Sequence, residues 1–398
     1  MKNREEILRY FPCQLYELLE NTFNQNINIE NNLQEIRIRC NRPIILKNVI
    51  SDARDVIASV INAKGDEIYF TSGGSESDNW ALKGIAWAYR NKGRHIITTK
   101  IEHHAILHSC KWLEKEGYDI TYIDVDEAGV VRLDKLEAAV REDTILISVM
   151  FANNEIGTIQ PVKEIGRIAH MHGVLFHTDA VQAFGQIPID VNDMNIDILS
   201  ASSHKFNGPK GMGFLYVKSG IRLDSIIHGG GQERGRRAGT ENVPAIGGMK
   251  TAAELAAITM TKRIEYETKL RNYMIKRIMS EIPYARVNGS MNDRLPGNVN
   301  MGFQFVEGET VLIMLDMEDI CASAGSACSS GSIDPSHVLM AIGLPEEIAR
   351  GSVRFTIGYE NTMEEIDRTV DVLKRIIGNQ RKMSDAYLRL TGQVKKAD

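Results

Sequence analysis

The chain has 398 residues, and 47 Lys plus Arg against 52 Asp plus Glu give a formal net charge of −5. Hydrophobic residues make up 43% and charged residues 25%, which are globular proportions and exclude a disordered, collagen-like or coiled-coil chain. The slightly acidic balance offers no general attraction for nucleic acid or an anionic membrane, so neither is an expected partner. The length suffices for about two domains around a large buried core.

The chain contains no run of about 18 apolar residues, so no transmembrane helix is expected. The charged opening MKNREEILRYF lacks the apolar stretch of a secretory signal. None of the cysteines forms a C-x-x-C pair, which indicates neither a zinc site nor a disulfide framework. The five are Cys13, Cys40, Cys110, Cys321 and Cys328. A reducing cytoplasm is the expected compartment.

From about residue 51, short apolar runs alternate with helical patterns. This alternation predicts an α/β fold with a mostly parallel sheet covered by helices. A long helical pattern from about Pro244 to Ile282 would lead into a smaller α/β region. The expected division is an atypical segment at 1–48, a large domain at 49–250 and a small C-terminal domain at 251–398.

Ligands bind at the carboxyl ends of the strands in such sheets, and the polar residues there are the candidate site. Gly74 and Ser75 open a helix whose N-terminus would suit a phosphate, although an ordinary capped turn has the same pattern. His103 would stack on a ring or move a proton, and a capping or surface histidine is an equal alternative. Asn154 would bind a ligand oxygen or serve the turn.

Two further strand ends carry an acid and a lysine. Asp179 ends an apolar strand, where a carboxylate is costly to bury unless a group such as a protonated ring nitrogen pairs with it. Lys205 follows the next strand and would form a Schiff base with a carbonyl cofactor, although most single lysines are merely surface residues. His177 and Asp179 have no third ligand for a metal. Together the five strand ends provide what pyridoxal phosphate needs.

Cys328 lies in ASAGSACSSGS, where small residues predict a mobile surface loop. An exposed loop cysteine is a candidate nucleophile. Cys110 lies in a helical pattern and Cys321 ends an apolar stretch, so both are predicted to be buried and inert.

These motifs together resemble the cysteine desulfurases of the NifS/IscS type, which are pyridoxal-phosphate enzymes of the class-V aminotransferase family. The resemblance runs from about Ala53 to the end of the final helix. It rests on TSGGSESDN, KIEHHAIL, ANNEIG, HTDAVQ, SSHKFNGPKG, HGGGQERGRRAGT, SAGSACSSG and SVRFTIG, in the family's order. It implies fold type I, with a seven-stranded, mostly parallel sheet in the large domain and a smaller C-terminal α/β domain.

The resemblance also implies a role for each site residue. Lys205 would hold pyridoxal 5'-phosphate and later move a proton, Asp179 would pair with the ring nitrogen, and His103 would stack on the ring. Gln182 and Asn154 would contact the ring oxygen. The residues expected to bind the phosphate are Gly74, Ser75, Ser202 and His204, with Thr240 coming from the other subunit of a homodimer.

The implied reaction converts L-cysteine to L-alanine. Arg354 would bind the substrate carboxylate through its planar fork, helped by Asn154. The thiolate of Cys328 would attack the substrate sulfur and become a persulfide. The expected partner is a sulfur acceptor or scaffold protein, for iron–sulfur cluster assembly or tRNA thiolation.

The first 48 residues depart from the family. Family members open with a segment like YLDNAATTP, which lines the mouth of the site, whereas this chain has a stretch that resembles stage III sporulation protein AA. Two alternatives to an active desulfurase therefore remain. One is a cofactor-binding but impaired protein with a partner-binding or regulatory role, and the other is a selenocysteine lyase. An aminotransferase is disfavoured because it needs no nucleophile such as Cys328.

Overall fold

The computed structural model describes residues 36–37, 45–324 and 335–392, with side chains from residue 49 onward. Its strands are β1 (Ile36–Arg37), β2 (Ile45–Leu46), β3 (Ile68–Thr71), β4 (His95–Thr99), β5 (Asp119–Ile123), β6 (Thr144–Ser148), β7 (Leu175–Asp179), β8 (Ile198–Ser202), β9 (Gly213–Val217), β10 (Ala285–Val287), β11 (Asn298–Phe303), β12 (Ser323–Ala324) and β13 (Ser352–Thr356).

The helices follow the alternation that the sequence predicts. They are α1 (Lys47–Val60), α2 (Gly74–Tyr89), α3 (His104–Lys115), α4 (Leu133–Ala138), α5 (Val162–Met171), α6 (Val243–Glu281), α7 (Gly308–Asp316), α8 (His337–Ala341), α9 (Glu346–Arg350), α10 (Met363–Arg381) and α11 (Asp385–Leu390). Short 3-10 helices span Gly65–Glu67, Ser203–Phe206 and Glu233–Gly235. In the described parts of the chain, every helix is too short or too polar to span a bilayer.

The larger sheet has seven strands in the order β3-β9-β8-β7-β6-β4-β5. Strands β4 to β8 pair in parallel, whereas β9 runs antiparallel to both β3 and β8. Consecutive side chains of a strand point to opposite faces of the sheet. In β4, Ile96 and Ile97 accordingly pack in two different hydrophobic cores. Helices therefore cover both faces, and the predicted mostly parallel, seven-stranded sheet is confirmed.

The long helix α6 joins the larger sheet to the smaller one. Asn242 caps it by accepting a hydrogen bond from the backbone N–H of Ala245, at 3.4 Å. Met249, near its start, packs in the core of the larger sheet, and Met274, near its end, packs in the core of the smaller sheet. The predicted helical stretch at 244–282 is confirmed to within one residue, and the expected domain boundary at residue 250 falls inside this helix.

The smaller sheet is antiparallel, in the order β10-β11-β13-β12. Its edge strand β12 follows Cys321, which is exposed. The prediction that Cys321 is buried is therefore wrong, because the apolar stretch of α7 ends at Asp316 and the chain then runs along the surface. Cys110, in contrast, is fully buried on α3, as predicted.

Candidate active site

The N-terminus of α2 lies against the ends of β7 and β8. Gly73 precedes the helix with φ of 150°, which favours glycine. A Cβ on Gly74 would lie only 2.6 Å from Cγ2 of Val181 and 3.4 Å from Cβ of Ser202. Ser75, the next residue, is exposed. The first backbone N–H groups of this 16-residue helix lie at its positive end, where an anion is stabilised.

Ser202 ends β8, and the chain then turns through a single 3-10 turn, Ser203–Phe206. Ser202 Oγ lies 3.0 Å from Nδ1 of His204, so the two candidate phosphate ligands contact each other. Lys205 follows on the same turn, and its backbone carbonyl accepts a hydrogen bond from Nε2 of Gln186, at 3.1 Å. The turn thus fixes the backbone from which the lysine side chain extends.

Asp179 is the last residue of β7 and is only 5% exposed. Burial raises the pKa of its carboxyl to about 6, against the opposing effects of a hydrogen bond from Val181 N, at 2.9 Å, and of the Lys205 cation. A cationic group brought against this carboxylate would offset the cost of burying its charge. The environment of Asp179 therefore fits a protonated ring nitrogen.

His103 occupies the N-cap position of α3. Its Nδ1 accepts a hydrogen bond from the backbone N–H of Ala105, at 3.1 Å, so the neutral ring carries its proton on Nε2. Burial lowers the pKa of the imidazole, and the nearby charge of Lys205 lowers it further. The charge of Lys205 thus acts on both His103 and Asp179, which places the three groups in one site.

Arg354 lies on β13 of the smaller sheet and reaches the loop that follows β6. Its Nη1 donates a hydrogen bond to the backbone carbonyl of Asn154, at 2.6 Å. The two residues expected to bind substrate are therefore brought together, and they join the two sheets through the loop whose Phe151 N donates to the backbone carbonyl of Asp179 at 2.8 Å. Gln182 is half-buried in the turn three residues after Asp179.

Two predicted site residues are not placed in this cluster. Thr240 borders a cavity of about 220 Å³ together with Ser72 and Arg237 of the same chain, so its predicted role across a dimer stays a prediction. Cys328 lies outside the described residues.

Two buried acids near the site, Asp78 and Glu102, were not predicted from the sequence. Asp78 of α2 is 1% exposed, with Oδ1 3.9 Å from Nε2 of His177. Glu102 is fully buried, and burial raises the pKa of its carboxyl to about 8 despite hydrogen bonds from Thr99 Oγ1 and Met150 N. For Glu102 the available signal was an acid three residues after the buried strand β4, whereas Asp78 lies among polar residues that give no such signal.

Comparison with known proteins identifies the family. The family model "Aminotransferase class-V" matches residues 42–369, and the chain belongs to that family. It is 55% identical over 343 residues to "Cysteine desulfurase IscS" of Clostridium botulinum, covering 86% of each chain.

Solved structures of related proteins superpose on this chain. A protein described as "NIFS-LIKE PROTEIN" superposes with a TM-score of 0.78 at 38% identity, over 83% of this chain and 88% of that one. A structure described as "SspA in complex with cysteine" superposes with a TM-score of 0.70 at 39% identity, over 79% of this chain and 88% of that one.

The enzymes of this family use pyridoxal phosphate, and the described residues fit it. The narrow approach at Gly74 provides an anion cradle that a Cβ would fill, and the buried Asp179 provides a partner for a ring cation. The amine of Lys205 lies within electrostatic range of Asp179 and His103. This set of an anion cradle, an acid and an amine is what the cofactor requires.

Proposed function

We propose that this chain is a cysteine desulfurase that converts L-cysteine to L-alanine and transfers the sulfur to Cys328 as a persulfide. The observation that supports the proposal is the hydrogen bond from Arg354 to Asn154, on the loop whose Phe151 N donates to the backbone carbonyl of Asp179 at 2.8 Å. A guanidinium beside a cofactor site suits an amino-acid carboxylate. The identity to cysteine desulfurases does not favour the alternatives of an impaired protein or a selenocysteine lyase.

The cofactor would be held at both of its ends. Gly74, Ser75, Ser202 and His204 would bind its phosphate, joined by Thr240 of a partner subunit in a homodimer. Asp179 would pair with the ring nitrogen, and His103 would stack on the ring, with Gln182 and Asn154 at the ring oxygen. When bound, pyridoxal phosphate withdraws electrons from the substrate and so weakens bonds at its α and β carbons.

The chain's own groups then orient the substrate and move protons. Arg354 would bind the carboxylate of L-cysteine from β13, and Asn154 would assist it from the loop after β6, where its backbone carbonyl accepts a hydrogen bond from Arg354. The Nζ of Lys205 would attach the cofactor and afterwards carry a proton to and from the substrate carbon. His103, kept neutral by its lowered pKa, can exchange a proton at Nε2.

Cys328 would act as a thiolate on the sulfur of L-cysteine. A sulfur–sulfur bond forms as the carbon–sulfur bond breaks, so L-alanine leaves and a persulfide remains on Cys328. The persulfide would pass its sulfur to an acceptor or scaffold protein for iron–sulfur cluster assembly or tRNA thiolation. We propose the reducing cytoplasm as its compartment, because Cys110 and Cys321 are free thiols and the cysteine spacing indicates no disulfide framework.

The test compares two cysteine variants of the purified protein. Visible absorbance reports cofactor binding, and sulfide release from L-cysteine with a reductant reports turnover. Cys328→Ala should keep the colour and lose sulfide release, whereas Cys321→Ala, which removes an exposed thiol, should keep both. Full activity in Cys328→Ala would disprove the persulfide route.

The same assay separates the alternatives. A coloured wild-type protein that releases no sulfide would support an impaired cofactor-binding protein. A strong preference for selenocysteine over cysteine would support a lyase. A colourless protein that cannot be reconstituted with pyridoxal phosphate would refute every proposed function that involves the cofactor.

A further inference from the structure

A second cleft, of about 550 Å³, lies between the larger sheet and helix α6, and its lining includes neither Asp179 nor Lys205. Its volume is in the range of small-molecule sites. On one side are residues of α5 and the loops near it, and on the other are α6 and the turn before β11. The apolar side chains that line it include Phe151, Ile159, Val162, Ile187, Met194 and Ile264.

Two buried arginines line this cleft. Arg271 of α6 is 5% exposed, and Arg294 of the turn before β11 is 4% exposed. All of their described hydrogen-bond acceptors are uncharged. Arg271 donates to the carbonyls of Arg294 and Leu295, both at 3.1 Å, and to the side chain of Asn272. Arg294 donates to the carbonyls of Asn288 and Ser290 and to Asn298.

The two guanidinium charges lack a counter-charge among the described residues. Glu267 lies one turn before Arg271 on α6, but no ion pair joins them, and its electrostatic partner is Arg263. Burial, together with the charge of Arg271, lowers the pKa of Arg294 to about 10. Because unpaired buried charge is costly, an anion in the cleft would be stabilised.

Arg271 has the geometry to hold such an anion. Its Nε and Nη1 are used by described acceptors, whereas none of the described hydrogen bonds involves its Nη2. A guanidinium edge binds a carboxylate with two parallel hydrogen bonds when both nitrogens are available, and with one charge-assisted bond otherwise. Most of the remaining lining is apolar, which suits a hydrocarbon or aromatic body more than a small inorganic ion. The lining also includes the acid Glu164 and Lys163, the latter paired with Asp193.

We propose that this cleft binds a small organic carboxylate with an apolar body, distinct from the L-cysteine substrate. Arg271 would bind its carboxylate, Arg294 would add a second positive charge, and the body would lie between Phe151 and Ile264.

The cleft is linked to the active site through hydrogen bonds. Leu295 N donates to the carbonyl of Gly157, at 2.9 Å, and Nδ2 of Asn298 donates to the carbonyl of Glu155, at 3.0 Å. Both acceptors lie on the loop that carries Asn154, the partner of Arg354. A ligand that shifts the arginine side of the cleft would therefore act on the loop that carries Asn154.

The test measures direct binding to the full-length, cofactor-loaded protein by calorimetry. The probes are 4-phenylbutyrate and its neutral analogue 4-phenyl-1-butanol. Wild-type protein should bind the carboxylate saturably, and binding of the alcohol should be at least about tenfold weaker, because it carries no charge. Direct binding does not depend on sulfide release, so failure here is separate from failure of the desulfurase proposal.

Three variants make the test specific. Arg271→Gln should weaken binding of 4-phenylbutyrate at least about tenfold. Ile264→Trp keeps both arginines but fills the cleft, and it should weaken binding of 4-phenylbutyrate by at least about tenfold as well. This variant keeps the test decisive if Arg271→Gln fails to fold. Ile258→Trp, on the same helix at a position that is 80% exposed, is the matched control and should bind like wild type.

Several results would overturn the proposal. They are the absence of saturable binding, equal affinity for the alcohol and the carboxylate, and undiminished binding by Ile264→Trp. A crystal structure with a peptide segment of this chain or of another protein seated against Arg271 would overturn it as well.

Discussion

Arg354 donates a hydrogen bond from Nη1 to the backbone carbonyl of Asn154, at 2.6 Å, although 200 residues separate them in the chain. The bond fixes a strand of the smaller sheet against a loop of the larger one. The proposed role of Arg354 makes substrate affinity depend on how the two sheets are placed relative to each other, so a change at Arg354 should alter substrate affinity before it alters cofactor binding.

Arg354→Lys should raise the KM for L-cysteine by about 10- to 100-fold, with a smaller change in kcat. Lysine keeps the charge but loses the planar fork that binds a carboxylate. Steady-state sulfide release measures both constants, and the visible absorbance should stay at the wild-type value. Arg350→Lys, at an arginine paired with Glu346 on the surface, is the control. An unchanged KM in Arg354→Lys would remove Arg354 from substrate binding.

Gly74→Ala should weaken cofactor binding by at least about tenfold, because its Cβ would lie 2.6 Å from Val181 Cγ2 and would narrow the anion cradle. Titration of the apoprotein with pyridoxal phosphate, followed by absorbance, gives the affinity. Gly378→Ala is the matched control, since its Cβ would meet nothing within 4 Å at an exposed position of α10. Wild-type affinity in Gly74→Ala would place the phosphate elsewhere.

Asp179→Asn should lower sulfide release by at least about 100-fold and speed the loss of cofactor on dilution. Asparagine can still accept the hydrogen bond from Val181 N but cannot pair with a ring cation. Turnover and the rate at which visible absorbance decays on dilution are the two measurements. Asp134→Asn alters an exposed acid paired with Arg132, and it should behave like wild type. Wild-type turnover and wild-type retention of the cofactor in Asp179→Asn would show that the ring nitrogen has a different partner.

Glu102 should make the folded state less stable as the pH rises. Burial raises its pKa from 4.5 to about 8, so the folded state binds a proton that the unfolded state has already lost. The contribution of this group is therefore full below about pH 4.5 and falls as the pH rises through about 8. Asp179 and Glu155, with pKa values of about 6 and 7, act in the same direction.

Glu102→Gln should reduce the fall in unfolding free energy between pH 5 and pH 8 by more than about 1 kcal/mol, because glutamine does not titrate. Urea unfolding at both pH values measures the free energy of unfolding, and Glu127→Gln, which changes an exposed residue, is the control. An equal pH dependence in Glu102→Gln and wild type would show that Glu102 is not the group responsible.

The sequence was sufficient for the parts of the site that follow strands. Asp179 ends a recognisable strand, Gly74 and Lys205 each lie three residues past the end of one, and parallel strands bring their carboxyl ends to one edge. The contact between Arg354 and Asn154 was not predictable from spacing, because it depends on how two sheets pack. In the sequence Asp78 lies within the helical run SESDNWAL, where an acid is normally on the solvent side, and only the structure shows it buried.

Helix α6 has 39 residues and is about 58 Å long. Its first part is held in one core and its last part in the other. A helix cannot be lost from one end without releasing the hydrogen bonds of the adjoining turns, so melting of either core propagates along it. The two halves of the protein should therefore unfold in a single cooperative transition, and a proteolytic cut in the middle of α6 should split that transition in two.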